Sequence, residues 1–414
     1  MAVAEPTTSR RTGLAAWQAA LACFVVAALA GALFRFALAY GWGPDRLAGL
    51  ELGNIRHAHS HLMYFGWVTP ALMLFIVREL RQRGAAVRGA GPVLFVVFVF
   101  ALLAFPPFLL YGYSLAPVGG RELPLSMMAA GINVIGWYAF VVVYVIASRG
   151  MVRDAALQMM DVALGLLVLS TLGAWALTAT VPMDLDNPIL TAALVHFFLD
   201  LFGEGWFVLG VLALGVGQVR QPGIMPRWPV ALLALGVPFT FVLSLPAGGL
   251  GPGWRLAGGV GGLMVGVALL AALAYLWPHL RSPGWRVALV CLALKAGGQV
   301  LVAVTPIDWS GLVGLRVLYL HLMLLGFVSV GLVAASRGIA GWVGQRGEVW
   351  FAAAVVVMLA SLVPLTALWP VAWSGLWTYR LAAWLALVPI VAAAALLAGG
   401  GVGDTLRFVR RRRL

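Results

Sequence analysis

The chain has 414 residues, of which 63% are hydrophobic and only 10% charged. A soluble domain carries roughly 25% charged residues, so a water-soluble globule is excluded, and so is a disordered chain. The net charge of +13 comes from 26 Arg and a single Lys against 14 acids. It would suggest nucleic acid in a soluble protein. Here the charges fall in short loops and tails, where they set topology and meet anionic membrane lipid, and no nucleic-acid partner is expected.

Twelve apolar runs follow one another, at 14–40, 57–78, 91–113, 127–148, 157–181, 188–216, 229–246, 256–277, 285–305, 316–336, 349–369 and 379–398. Each approaches the roughly 20 residues that a helix needs to cross a bilayer. They are continuous rather than alternating, which argues against a β-barrel. The expected fold is an all-α polytopic membrane protein. It is read as a twelve-helix bundle forming one transmembrane domain over 1–414, with short basic tails at 1–13 and 399–414. The first run is too long for the apolar core of a cleavable signal, and no internal repeat is evident. Cys23 and Cys291 both lie inside apolar runs. The chain has no CxxC and no CxxCH, so neither a thiol redox motif nor covalent c-type heme attachment is expected.

Arginine placement orients the bundle. With the N-terminus in the cytoplasm, the inner segments hold 19 arginines and the outer loops 6. Both termini are therefore expected inside, with the protein a multi-pass one of the cell's inner (cytoplasmic) membrane.

Ionisable residues at membrane depth are functional candidates by default, because each costs several kcal/mol unless a partner holds it. They are few. Arg35 lies in span 1, Asp200 and Glu204 in span 6, and Lys295 in span 9 with Gln299 one turn later. Asp161 sits near a helix end and reads as interfacial. Five of the six histidines fall on three spans: His57, His59 and His61 open span 2, His196 is early in span 6, and His321 is early in span 10. At about 1.5 Å per residue, His61, His321 and His196 lie roughly 6, 8 and 12 Å below the outer ends of their spans. Imidazole is the usual axial ligand of heme iron and a good ligand for copper and zinc. Gly66, Trp67, Gly203, Gly205, Trp206, Gly326 and Phe327 lie on the same helices and suit either a porphyrin wall or ordinary helix packing. Arg56 and Arg316, near the outer ends, read either as partners for heme propionates or as solvated loop charges. In span 6, His196, Asp200 and Glu204 recur at i, i+4, i+8. That spacing suits a second metal, a proton relay, or a buried ion pair with Lys295 or Arg35.

This pattern resembles the catalytic subunit I of the heme-copper oxidase superfamily. The segment His196-Phe-Phe-Leu-Asp200 is similar to the His-x-x-x-Glu of nitric oxide reductases. The opening Arg56-His57-Ala-His59-Ser-His61-Leu-Met-Tyr-Phe-Gly66-Trp67 is similar to that of NnrS-type proteins and of short oxidase-subunit-I-like proteins. Lys295-x-x-x-Gln299 and Tyr319-x-His321-x-x-Leu-Leu-Gly-Phe327 resemble the latter group. Span 7 has no histidine and span 10 has one, so a three-histidine copper site is not available. The resemblance implies one heme b between His61 (or His59) and His321. It also implies a second metal, copper or non-heme iron, on His196, Asp200 and His57, and a proton relay through Glu204, Lys295 and Gln299. Electron transfer or nitric oxide and oxygen handling would follow, as an oxidoreductase if an enzyme, with a cytochrome or cupredoxin donor on the outer side. The alternative is a twelve-helix secondary transporter with Asp200, Glu204 and Lys295 as coupling charges. A metal-chaperoning role is a third reading.

Overall fold

The computed structural model describes residues 7–411 apart from 181, 182, 184, 220–224, 247–249, 306, 307, 338 and 340–342, with side chains described within 12–399. The ends of both expected tails, 1–6 and 412–414, lie outside the described residues. Among the described residues, eleven helices are long and apolar enough to span a membrane. They are α1 (Thr12–Tyr40), α2 (Leu52–Gln82), α3 (Ala90–Tyr111), α4 (Leu125–Ala147), α5 (Ala155–Thr180), α6 (Pro188–Val219), α8 (Pro252–Leu276), α9 (Pro283–Val304), α10 (Val313–Ser336), α11 (Gln345–Leu365) and α12 (Leu376–Gly399). The seventh expected span is a shorter apolar helix, α7 (Trp228–Ser244), whose last turn is 3-10. The protein is thus an all-α polytopic membrane protein of eleven to twelve apolar helices. Helices prevail because hydrocarbon offers backbone groups no partner except each other.

One small element departs from the sequence reading. Between α3 and α4 the strands β1 (Ala116–Val118) and β2 (Arg121–Leu123) pair antiparallel. Gly119 and Gly120 join them, both at positive φ (56° and 78°), as a two-residue hairpin turn of the mirror-image type requires.

The helices group into two compact units. The first comprises Met1–Gly150, Ser336–Leu365 and Pro370–Leu414. Its core is aromatic: Trp17 of α1 packs against Trp67 and Phe75 of α2, and Phe24 packs against Trp67 and Phe351. The second comprises Met151–Ala335 and Thr366–Trp369. There α7 and α8 approach through glycine. A Cβ built on Gly236 would lie 2.8 Å from the Gly261 carbonyl oxygen, and one on Gly261 would lie 2.8 Å from that of Gly236. Small residues permit such backbone contact where lipid gives no hydrophobic drive to association.

Three helices stand apart. In α2, α6 and α10, 78%, 78% and 61% of the most apolar window is buried, against at most 50% elsewhere. Each also contains a π-helical segment: Met63–Val68, Leu201–Val208 and Leu322–Ser329. Such segments widen the turn by a residue and recur at functional sites. Burial changes character there. Residues 192–200 of α6 are all half-buried, and 201–216 are all buried. Likewise, Phe65 to Val77 of α2 and Gly326 to Ser336 of α10 are buried without a break. The three helices that carry the histidines are therefore loosely enclosed beside those histidines and tightly packed beyond them.

Candidate functional site: a buried charged cluster on three helices

In the second unit α6 starts with a built cap. Asn187 Oδ1 accepts from the amides of Ile189 and Leu190 at 3.1 Å each, and Pro188 follows where its missing N–H costs nothing. The helix then carries His196 and Asp200 one turn apart. Glu204 comes after the π segment has opened, so the wider turn shifts it off the i, i+4, i+8 line of a plain α-helix.

Glu204 meets α9. Lys295 Nζ lies 2.7 Å from Glu204 Oε1, with the lysine side chain fully buried and the glutamate side chain 8% exposed. Lys295 also donates to Gln299 Oε1 at 3.3 Å. Tyr319 of α10 donates to the same Gln299 oxygen at 2.5 Å and lies 3.3 Å from Glu204 Oε1. Lys295 and Tyr319 thus both donate to Gln299 Oε1, Lys295 also holds Glu204 Oε1, and Glu204 Oε2 is buried with no hydrogen-bond partner among the described residues. A carboxylate oxygen left bare in an apolar interior is costly.

One turn toward the start of α6, Asp200 accepts from Ser244 Oγ at 2.8 Å. His196 continues the line. Arg316 Nη2 lies 3.3 Å from His196 Nε2, and Arg316 Nη1 donates to the Ser310 carbonyl at 3.1 Å. A guanidinium only donates, so Nε2 is the acceptor and Nδ1 carries the imidazole hydrogen. That Nδ1 is buried without a hydrogen-bond partner among the described residues. Asp200 Oδ2 is 3.9 Å away, just beyond hydrogen-bond range. From Arg316 to Lys295 the unit thus holds a file of polar groups in order: guanidinium, imidazole, carboxylate, carboxylate, ammonium.

The histidines of the first unit are engaged differently. His59 Nδ1 donates to the Ala27 carbonyl at 2.7 Å, and its ring lies over Gly31, where a Cβ would come within 2.7 Å of it. His61 Nδ1 donates to the His57 carbonyl at 2.9 Å. The His61 ring stacks on Phe108 with centroids 3.7 Å apart, and Phe65 closes an edge. The Tyr113 hydroxyl faces its Nε2 at 3.4 Å. His57 packs edge-on against Tyr113, and Arg56 beside it is exposed. In the second unit His321 Nδ1 donates to the Val317 carbonyl at 2.7 Å.

The expected cofactors are corrected by this arrangement. Among the described residues no group of three or more His, Cys, Asp or Glu side chains stands where it could hold a metal ion. The copper or non-heme iron expected on His196, Asp200 and His57 lacks its donor set. The ring nitrogen His196 would offer is faced by the Arg316 cation, and Asp200 is turned to Ser244. The heme b expected between His61 (or His59) and His321 falls with it: the His61 ring is enclosed by Phe108 and Phe65, and its Nε2 is met by Tyr113. Arg316 contacts His196 and Ser310.

The sequence reading brought Glu204, Lys295 and Gln299 to notice, and the structure places all three together. It missed Tyr319 and Ser244 as members of the cluster, since neither is ionisable at neutral pH. It also missed a short repeat. His61-Leu-Met-Tyr-Phe-Gly66-Trp67-Val68 in α2 matches His321-Leu-Met-Leu-Leu-Gly326-Phe327-Val328 in α10, and Asp200-Leu-Phe-Gly-Glu-Gly205-Trp206 in α6 keeps the same spacing from polar residue to Gly-aromatic. Each copy coincides with a π segment.

Fold and site together define a multi-pass helical membrane protein with a charged cluster among its helices, buried at Lys295 and Glu204 and half-buried at Asp200, His196 and Arg316. No model of a known protein family matches the chain, and a search of curated proteins finds no match.

Proposed function

We propose that this protein is a proton-coupled secondary transporter in which Glu204, Lys295 and Asp200 are the coupling charges. The observation that carries the reading is the Lys295–Glu204 pair, 2.7 Å long and sealed from solvent, with the second glutamate oxygen left bare. Ionisable groups at this depth mark ion and proton pathways, and Asp200, one turn from the pair and held only by the Ser244 hydroxyl, is where the coupled proton would sit. Discontinuities in membrane helices accompany transport sites, and here a π segment begins beside Asp200 and contains Glu204. The scaffold we propose to be akin to that of heme-copper oxidase subunit I, put to a different use. The arginine asymmetry supports a cytoplasmic membrane location with both termini inside.

The test is flux in proteoliposomes that enclose a pH-sensitive dye. Panels of radiolabelled amino acids, sugars and carboxylates are offered under an imposed pH gradient. Uptake of one class with proton entry, lost in both Glu204→Gln and Asp200→Asn, is the expected result. Intact protein that moves no solute with protons sinks the reading.

A further inference from the structure

We infer that the Arg316 end of this cluster is a binding site for one monovalent oxyanion, taken up together with one proton on Asp200. The inference rests on the transporter reading and names its substrate class.

Charge arithmetic is the first ground. With every group ionised, Arg316 and Lys295 balance Asp200 and Glu204, and the file is neutral. Its members are not equivalent. Lys295 is spent on Glu204, whereas Arg316 makes no ion pair among the described residues and contacts only a carbonyl and a neutral imidazole. Its compensation is the electrostatic influence of Asp200 at longer range. A proton on Asp200 therefore leaves one uncompensated positive charge, located at Arg316. Arg316 is half-buried, so that charge is incompletely solvated, and one external anion cancels it.

Geometry is the second ground. A guanidinium has five N–H donors in a fork suited to an oxyanion, and its two protein partners here leave donors to spare. The stretch of α6 beside it is incompletely covered: residues 192–200 are all half-buried, and Phe197 packs edge-on to Phe241 with centroids 5.4 Å apart. Asp200 is the group that takes the proton because it holds only the Ser244 hydroxyl, while Lys295 already occupies Glu204. The groups facing Asp200 are His196 and Glu204 on its own helix, Lys295 from α9, Arg316 and Tyr319 from α10, and Ser244 from α7. His196, with its Nδ1–H 3.9 Å from Asp200, can pass a proton to it once the ring accepts a second one. That second proton must enter at Nε2, which obliges Arg316 to let go of the imidazole and turn its donors to the anion.

The experiment uses purified full-length protein in nanodiscs and measures binding of radiolabelled benzoate, with acetate and nitrate as competitors, between pH 5.5 and pH 8. Wild type is expected to bind benzoate more tightly at low pH, by up to about tenfold per pH unit. Asp200→Asn, which imitates the protonated acid, should bind at all pH values with that dependence lost. Arg316→Gln should lose binding, and Arg316→Lys should keep a weakened form of it. Since Asn gains rather than loses function at high pH, misfolding does not imitate the result. Nanodiscs of phosphatidylcholine with and without phosphatidylglycerol separate two sources of the anion: suppression of benzoate binding by the anionic lipid indicates a lipid phosphodiester, and indifference to it indicates a soluble anion. The inference is overturned by wild type that binds no benzoate, by binding that survives Arg316→Gln, or by Asp200→Asn with the wild-type pH dependence. Binding without flux would uphold the site and sink the transporter reading. Proton-coupled flux of a neutral solute, without anion binding, would do the reverse.

Discussion

Lys295 Nζ and Glu204 Oε1 stand 2.7 Å apart across α9 and α6, with the ammonium wholly enclosed. Removal of either partner strands the other. Glu204→Ala and Lys295→Ala are each expected to cost about 3–5 kcal/mol, whereas the double replacement Glu204→Leu with Lys295→Met restores most of that stability. Thermal unfolding in detergent, run as a double-mutant cycle, reads the coupling. Additive losses would show that the two charges do not depend on each other.

Gly31 is the floor on which the His59 ring rests. A Cβ there meets the ring at 2.7 Å, so Gly31→Ala must push the imidazole off the Ala27 carbonyl. The expected cost is about 1–3 kcal/mol, as for other overpacking changes, and His59→Ala in the same chain should recover part of it. Melting temperatures of the two single variants and the double variant decide the matter. An unchanged Gly31→Ala protein would mean that the ring has another place to go.

Gly120 sits at φ 78° in the hairpin between α3 and α4. A β-branched residue strains that backbone by about 1–3 kcal/mol. Gly120→Val is expected to open the hairpin without disturbing the helices, because the strand pairing is local to residues 116–123. Limited proteolysis from the outer side should then cut the variant and spare wild type. Equal resistance of the two would argue against the turn.

Orientation has its own check. From the arginine asymmetry we propose that both termini lie inside and the hairpin outside. A fluorescent-protein fusion at the C-terminus should glow, and alkaline phosphatase inserted after Gly119 should be active. Exchange of those two outcomes would invert the bundle and move the Arg316 end of the polar file to the cytoplasm.

Most of the architecture was legible from the chain alone. Apolar runs of membrane length must become helices, because hydrocarbon leaves backbone groups no other partner; accordingly, the expected run at 127–148 became Leu125–Ala147 and that at 285–305 became Pro283–Val304. The same cost argument drew attention to Glu204, Asp200 and Lys295, since charge at that depth needs a reason. The sequence placed Gln299 one turn after Lys295, and in the structure the two side chains touch, as residues four apart share a helix face. What the fold alone decided was pairing. The sequence left a buried pair with Lys295 or with Arg35 open beside other readings; Lys295 is 91 positions from Glu204, and only the fold shows that these two meet and that Asp200 turns to Ser244 instead. The π segments were equally hidden, because an extra residue in a turn changes no hydrophobic pattern and is fixed by packing against neighbouring helices. The heme expectation failed at this level too. Histidines at one depth satisfy a one-dimensional criterion, but a metal needs several donors around one point, and only three-dimensional placement shows His61 enclosed by aromatic rings and His196 held by a cation.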